Sequence, residues 1–172
     1  MPLQYKVMAL TIGMVCLVLL LAGSMVIYGI HQRIEEDISQ RALNIGRIIA
    51  EVPTIKNAIL SDNPSAKIQP IVESWRISTG AAFIVVSNMD QIRLSHPIVE
   101  NIGTPLTNLY RAPVLQGQEY LYIAKGSLDP SIRANVPIFE LNGNHQIGFV
   151  SVGFYLKDVY IQQIAGAKNV LY

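Results

Sequence analysis

The sequence predicts an α+β domain carried on one membrane helix. Three observations predict it. An N-terminal run is apolar and free of charge, the segment after it repeats its apolar residues at helical spacing, and much of the C-terminal half alternates at the period of strands. Two helical segments followed by about five antiparallel strands form a layer of helix on sheet.

From Val7 to Ile30 there is no Asp, Glu, Lys, Arg or His. That stretch is long enough to cross a bilayer with some tilt. A cleaved signal peptide has a shorter apolar core, and this run continues through Met25, Val26, Ile27 and Tyr28, so an uncleaved anchor over 7–30 is expected. Lys6 on one side and Arg33 on the other leave its orientation weakly signalled. A membrane-proximal helix over 31–60 follows. Ile34, Ile38, Ala42, Ile45, Ile49 and Val52 recur at helical steps between Glu35, Glu36, Asp37, Gln40, Arg41, Asn44 and Arg47, a narrow apolar stripe on a charged rod. The stripe fits packing on a domain or on a second copy, and a parallel homodimer through it is expected. Pro53 interrupts the pattern.

A sensing domain is expected over 61–160. Asn63 is placed as N-cap with Pro64 at the first helical position, Ile68, Ile71, Val72 and Trp75 as the buried face, and Gly80 as C-cap. Strands are expected at Ala81–Val86, Ile92–Ser95, Tyr120–Lys125, Ile132–Phe139 and Gln146–Phe154, with Asn142 and Gly143 as a hairpin turn. Pro97 to Gln118 reads as a long irregular stretch of the kind that forms lids.

Composition narrows the function. The 172 residues carry a formal net charge of +1, which gives no case for nucleic acid as partner. Hydrophobic residues make up 51% and mean hydropathy is +0.34, which calls for a membrane segment. The lone Cys16 excludes a disulfide framework and a cysteine-rich metal site. No metal, cofactor or catalytic residue is expected. A hydrolase would need a nucleophile, a base and an orienting acid, and Ser95 adjacent to His96 makes no such set.

The chemistry concentrates in Ile92-Arg93-Leu94-Ser95-His96-Pro97. On a strand Arg93 and His96 point to opposite faces, so they converge only if the strand ends or bulges near Ser95. Pro97 favours an ending because it has no N–H for a ladder. A guanidinium fork and an imidazole brought together suit a small carboxylate; the alternative is a solvated Arg93 and a turn His96.

That segment, with Lys125-Gly126-Ser127-Leu128, Ser131-Ile132-Arg133, Val136-Pro137-Ile138 and Ile147-Gly148-Phe149-Val150-Ser151-Val152-Gly153 in order, resembles the extracytoplasmic sensor region of the citrate and C4-dicarboxylate sensor histidine kinases. The resemblance covers roughly Ile34 to Val159. It implies a PAS-like (PDC) sensor fold between two membrane helices, a di- or tricarboxylate ligand, and ligand contacts at Arg93, His96, Ser127, Leu128, Arg133 and Ser151. Asn135 and Leu106 are the implied ligand-tuning positions, Asn135 standing where citrate sensors carry Lys and dicarboxylate sensors an aromatic residue. Asp129 replaces a Gly beside the Gly-Ser-Leu turn and brings negative charge toward an anion site. The family's Gly-Gly-Asp lid is replaced near Asn108-Leu109-Tyr110-Arg111.

The expected function is therefore signal input to a two-component sensor kinase in the cell (inner) membrane, with the sensor domain extracytoplasmic. No kinase core and no second apolar span after Asp158 are found, and 161–172 reads as the approach to that second helix, so a response regulator would be reached only through a kinase part absent from this chain. The alternatives are the ligand-binding domain of a chemoreceptor-type receptor and a non-binding dimerisation module.

Overall fold

The alternating segments pair into one antiparallel sheet ordered β1-β4-β3-β2. Its strands are β1 (Phe83–Asn88), β2 (Tyr120–Lys125), β3 (Pro130–Phe139) and β4 (Gln146–Tyr155). Three helices precede it: α1 (Leu3–Glu51), α2 (Pro53–Ile59) and α3 (Pro64–Thr79). The structure, a computed structural model, describes residues 3–106, 113–125, 130–143, 145–158 and 161. The chain divides into two compact units, Met1–Asp37 and Ile38–Tyr172.

In the first unit, Gln4–Val26 is long and apolar enough to cross a membrane by length and composition, and its residues are exposed throughout. In the second unit, helix boundaries follow backbone chemistry. Pro53 and Pro64 open α2 and α3, where a missing N–H costs nothing. Asn63 occupies the N-cap of α3 without a side-chain hydrogen bond, so proline sets that end. Gly80 closes α3 at φ +68°. Ile68 and Val72 are buried, while Ile71 and Trp75 are half-buried.

The core lies between the C-terminal part of α1 and one face of the sheet. Ile38, Ala42, Ile45 and Ile49 are buried on the helix, and Ala134, Val136, Val150 and Val152 are buried on the strands. Gly46 permits the close approach: a Cβ there would stand 2.8 Å from Val136 Cγ2 and 3.7 Å from Val152 Cγ2. Arg41 lies 5.3 Å from the Phe154 ring centre, and Arg47 pairs with Glu119 at 2.6 Å. The isoleucine stripe expected to pair two copies is thus used, from Ile38 to Ile49, inside its own domain. A sheet with a bare apolar face outcompetes a second helix for the same residues. The exposed side of this part of α1 carries Gln40, Arg41, Asn44 and Ile48 instead.

The sheet has four strands where about five were expected. Residues 92–95 form no strand and make only isolated bridges, Ser87 to Arg93 and Ile92 to Pro105. The cause is local. Gln91 adopts φ +63° in the turn after β1, and the antiparallel pairing beyond it extends only to the Ser87–Arg93 bridge. The Val86 N–H then donates to Ser95 Oγ at 2.9 Å instead of to a backbone carbonyl. The N–H groups of Leu94 and Ser95 both converge on the Val86 carbonyl, at 2.7 and 3.3 Å. A side chain closes the free edge of β1, and the backbone beyond it is released from ladder pairing.

Candidate ligand-binding site

Cross-strand register builds the site. Phe83, Gly153, Arg133 and Tyr122 are successive neighbours across β1, β4, β3 and β2. Val85, Ser151, Asn135 and Tyr120 form the adjacent row. Residues two apart share a face, so both rows lie on the side of the sheet away from α1. The released segment after β1 runs beside them, and a cavity of about 590 Å³ opens between.

Arg93, His96, Leu106, Arg133, Asn135 and Ser151 all line this cavity, with Phe83, Tyr120, Tyr122 and Tyr155 as aromatic walls. Arg93 and His96, which a continuous strand would hold on opposite faces, converge because the strand gives way at Ser95. Ser127 and Leu128 lie outside the described residues, as do Asp129 and Asn108–Arg111. Among the described residues no carboxylate lines the cavity, so its charge comes from the two guanidinium groups, with the His96 imidazole beside them.

Each polar group is held from its own element. Arg93 Nη1 donates to Thr104 Oγ1 at 2.6 Å and to the Pro105 carbonyl at 3.0 Å. Arg133 Nε donates to Ser131 Oγ at 3.1 Å, and its guanidinium lies 5.1 Å from the Phe83 ring centre and 6.0 Å from that of Tyr122. Ser151 Oγ donates to Asn135 Oδ1. Asn135 is 2% exposed, and its Nδ2 has no hydrogen-bond partner among the described residues. A buried amide N–H without an acceptor costs about 1–3 kcal/mol, so this group is a ready donor to anything that enters.

His96 is clamped by α3. Its main-chain N–H donates to Gln69 Oε1 at 3.0 Å, and Gln69 Nε2 donates to its carbonyl at 2.9 Å. The ring Nδ1 stands 3.0 Å from both the N and the O of Ile98. In the neutral ring the Ile98 N–H donates to Nδ1 and the proton sits on Nε2; in the cation Nδ1–H donates to the Ile98 carbonyl. Burial pushes the imidazole below its usual range; the Ile98 backbone contact opposes this, and the Arg93 charge adds to it. Burial also raises the Tyr120 phenol, with Tyr122 adding and Arg133 opposing, so it stays a neutral hydroxyl.

Ser95 faces away from this chemistry and holds the site together. It is 0% exposed and carries the hydrogen bond that caps β1. Ser95→Ala leaves the Val86 N–H buried and unpaired, and urea denaturation should read a loss of about 1–3 kcal/mol.

Sequence reasoning missed the aromatic walls and Gln69. Tyr120 and Tyr122 alternate on the strand paired with Arg133, a signal that was present, and their rings stack at 5.3 Å. Nothing local in α3 marks Gln69 as the partner of a residue 27 positions away.

A helix-backed antiparallel sheet with an arginine-lined cavity on its other face is the architecture of PDC-type sensor domains. The chain belongs to the single cache domain 3 family, whose sequence model matches residues 30–164. It is 44% identical over 138 residues to the sensor protein CitS of Halalkalibacterium halodurans, covering 80% of this chain and 25% of that protein. It is 30% identical over 168 residues to the sensor histidine kinase DcuS of Escherichia coli K12, covering 98% of this chain and 31% of that protein. The crystal structure of the E. coli DcuS sensor domain superposes with a TM-score of 0.69 at 32% identity, over 77% of this chain and 98% of that domain. The Vibrio cholerae DctB sensor domain shares the fold at 18% identity and a TM-score of 0.60, over 78% of this chain and 58% of that one. The resemblance to the sensor region of the citrate and C4-dicarboxylate sensor kinases is borne out. The chain spans about a quarter to a third of the length of these curated relatives.

Proposed function

We propose that this chain is the signal-input region of a membrane-anchored two-component sensor kinase and binds a small di- or tricarboxylate. One observation carries the reading: Arg93 and His96 from the segment after β1 meet Arg133 from β3 at one cavity that no described carboxylate lines. Two guanidinium groups and an imidazolium match two carboxylates, with Ser151 and Asn135 as uncharged donors and Leu106 shaping one wall. Ser127 and Leu128 complete the proposed contact set. Asn135 supplies a neutral donor where a Lys would add charge, which favours ligands of lower charge. No metal or cofactor enters the reading.

The N-terminal helix is the proposed anchor, with the sensor domain on the extracytoplasmic side of the cell membrane. A second copy of the chain would meet the exposed side of α1 rather than its isoleucine stripe. A response regulator would be reached through a kinase part outside this chain. Calorimetry with malate, succinate, fumarate and citrate on the chain in detergent micelles tests the reading. Binding by at least one acid at micromolar to millimolar concentration is expected; silence from all four leaves the domain as a non-binding module. The sensor domains of Campylobacter jejuni Tlp3 share only the fold, at 16% identity, so the kinase relatives outweigh a chemoreceptor reading.

Binding should strengthen as pH falls from 8 toward 6. The free His96 has its pKa below 6.5, and a bound carboxylate raises it, so the complex takes up a proton between the two values. Affinity rises as pH drops through the bound-state pKa of His96 and falls again where the ligand's own carboxylates take up protons, so binding peaks between the two titrations. Without ligand the sign reverses. The depressed folded pKa means that stability is lost as pH falls below about 6.5. Calorimetry at pH 6.5 in buffers of differing ionisation enthalpy should register proton uptake; equal heats in all buffers would remove His96 from the contact set.

A further inference from the structure

We propose that Phe83 and Gly153 are positioning residues that aim the Arg133 guanidinium into the cavity; the inference rests on the carboxylate reading and deepens it. Phe83, Gly153 and Arg133 are cross-strand neighbours on β1, β4 and β3. A Cβ on Gly153 would stand 2.0 Å from Phe83 Cζ, 2.3 Å from Cε1 and 2.5 Å from Cε2. The ring therefore lies over β4 and fills the place that a side chain at 153 would take. Backbone conformation does not call for glycine there, because Gly153 is absent from the residues with positive φ. The ring does.

Across β4 the ring meets Arg133, whose guanidinium lies 5.1 Å from its centre. Tyr122 flanks the same guanidinium at 6.0 Å, and Ser131 Oγ accepts from Nε at 3.1 Å. Tyr155 steadies Phe83 edge-on, with ring centres 6.5 Å apart at 66°. An arginine side chain loses much rotamer freedom when its fork captures a carboxylate. Two rings and a hydroxyl have removed part of that freedom before the ligand arrives, which lowers the cost of binding. Phe83 is only half-buried, so filling the core does not account for it.

The experiment uses the full chain in lipid nanodiscs, with malate and citrate as probes in calorimetry. Phe83→Leu should raise the dissociation constant about three- to thirty-fold, on the scale of a cation–π contact, while Phe83→Tyr stays within about two-fold. Gly153→Ala, which pushes the ring aside, should follow Phe83→Leu. A second readout needs no ligand: Phe83→Leu and Arg133→Gln, singly and together, in urea denaturation. A positioning pair gives coupled losses, smaller together than their sum; a plain wall gives additive ones. Retained affinity in Phe83→Leu, or additive losses, overturns the proposal. If neither acid binds the unaltered chain, the carboxylate reading fails by itself, and the coupling alone then decides whether the ring seats Arg133.

Discussion

Arg133→Ala should weaken carboxylate binding more than any other single change in the cavity. Removing one member of a desolvated charge pair costs about 2–5 kcal/mol, which is about thirty-fold to several-thousand-fold in dissociation constant. The effect is large because the guanidinium enters from the middle of the sheet, on β3, and is held between two rings. A carboxylate left without it faces Phe83 and Tyr122, which offer no charge. Arg133→Lys should recover part of the loss, since it restores the charge without the two-pronged fork. Arg93→Ala should also weaken binding, with a second consequence. Its Nη1 ties residues 104 and 105 to the segment after β1, so this variant should additionally loosen that loop and quicken its hydrogen exchange. Calorimetry with malate and citrate reads the affinities. Equal affinity in both alanine variants would move the site away from this cavity.

The legible part of the molecule was the part governed by local chemistry. Proline and glycine at 53, 64 and 80 marked helix ends because they act through their own backbone. The pattern over Gln146–Phe154 identified β4, which runs from Gln146 to Tyr155, because successive side chains of a strand alternate between its two faces. The ordered motifs placed Arg93, His96, Arg133 and Ser151, and the structure gathers those four around one cavity. What stayed hidden depends on which partner each residue meets once the chain has folded. The period of Ile38, Ala42, Ile45 and Ile49 is the same whether the partner is a sheet or another helix, so the stripe could not name its occupant. The strand expected at 92–95 fails because one buried hydroxyl, that of Ser95, takes a ladder hydrogen bond. The ring of Phe83 lying over Gly153 depends on the register of two strands, β1 and β4, that are far apart in the chain.

Phe149→Ala should be the most damaging substitution for the fold. Phe149 is the largest wholly buried side chain among the described residues, at 0% exposure in β4 between Ser87 of β1 and Pro137 of β3. Truncating a buried phenylalanine removes its transfer free energy and leaves a cavity that the sheet closes only in part, at about 3–5 kcal/mol. A domain with a stability of about 5–15 kcal/mol loses a large share of it. The position also links stability to binding. Phe149 lies on the cavity face of the sheet, two residues before Ser151 and four before Gly153. A variant that folds should therefore bind more weakly only to the extent that the unfolded form is populated, because no contact proposed for the ligand is removed. Ligand at about one hundred times its dissociation constant adds about 2.7 kcal/mol by mass action and should restore much of the folded population. Urea denaturation with and without malate separates the two effects. The midpoint should fall steeply in the variant and recover with ligand; an unfolding free energy within about 1 kcal/mol of the unaltered chain would mean that the sheet does not depend on Phe149.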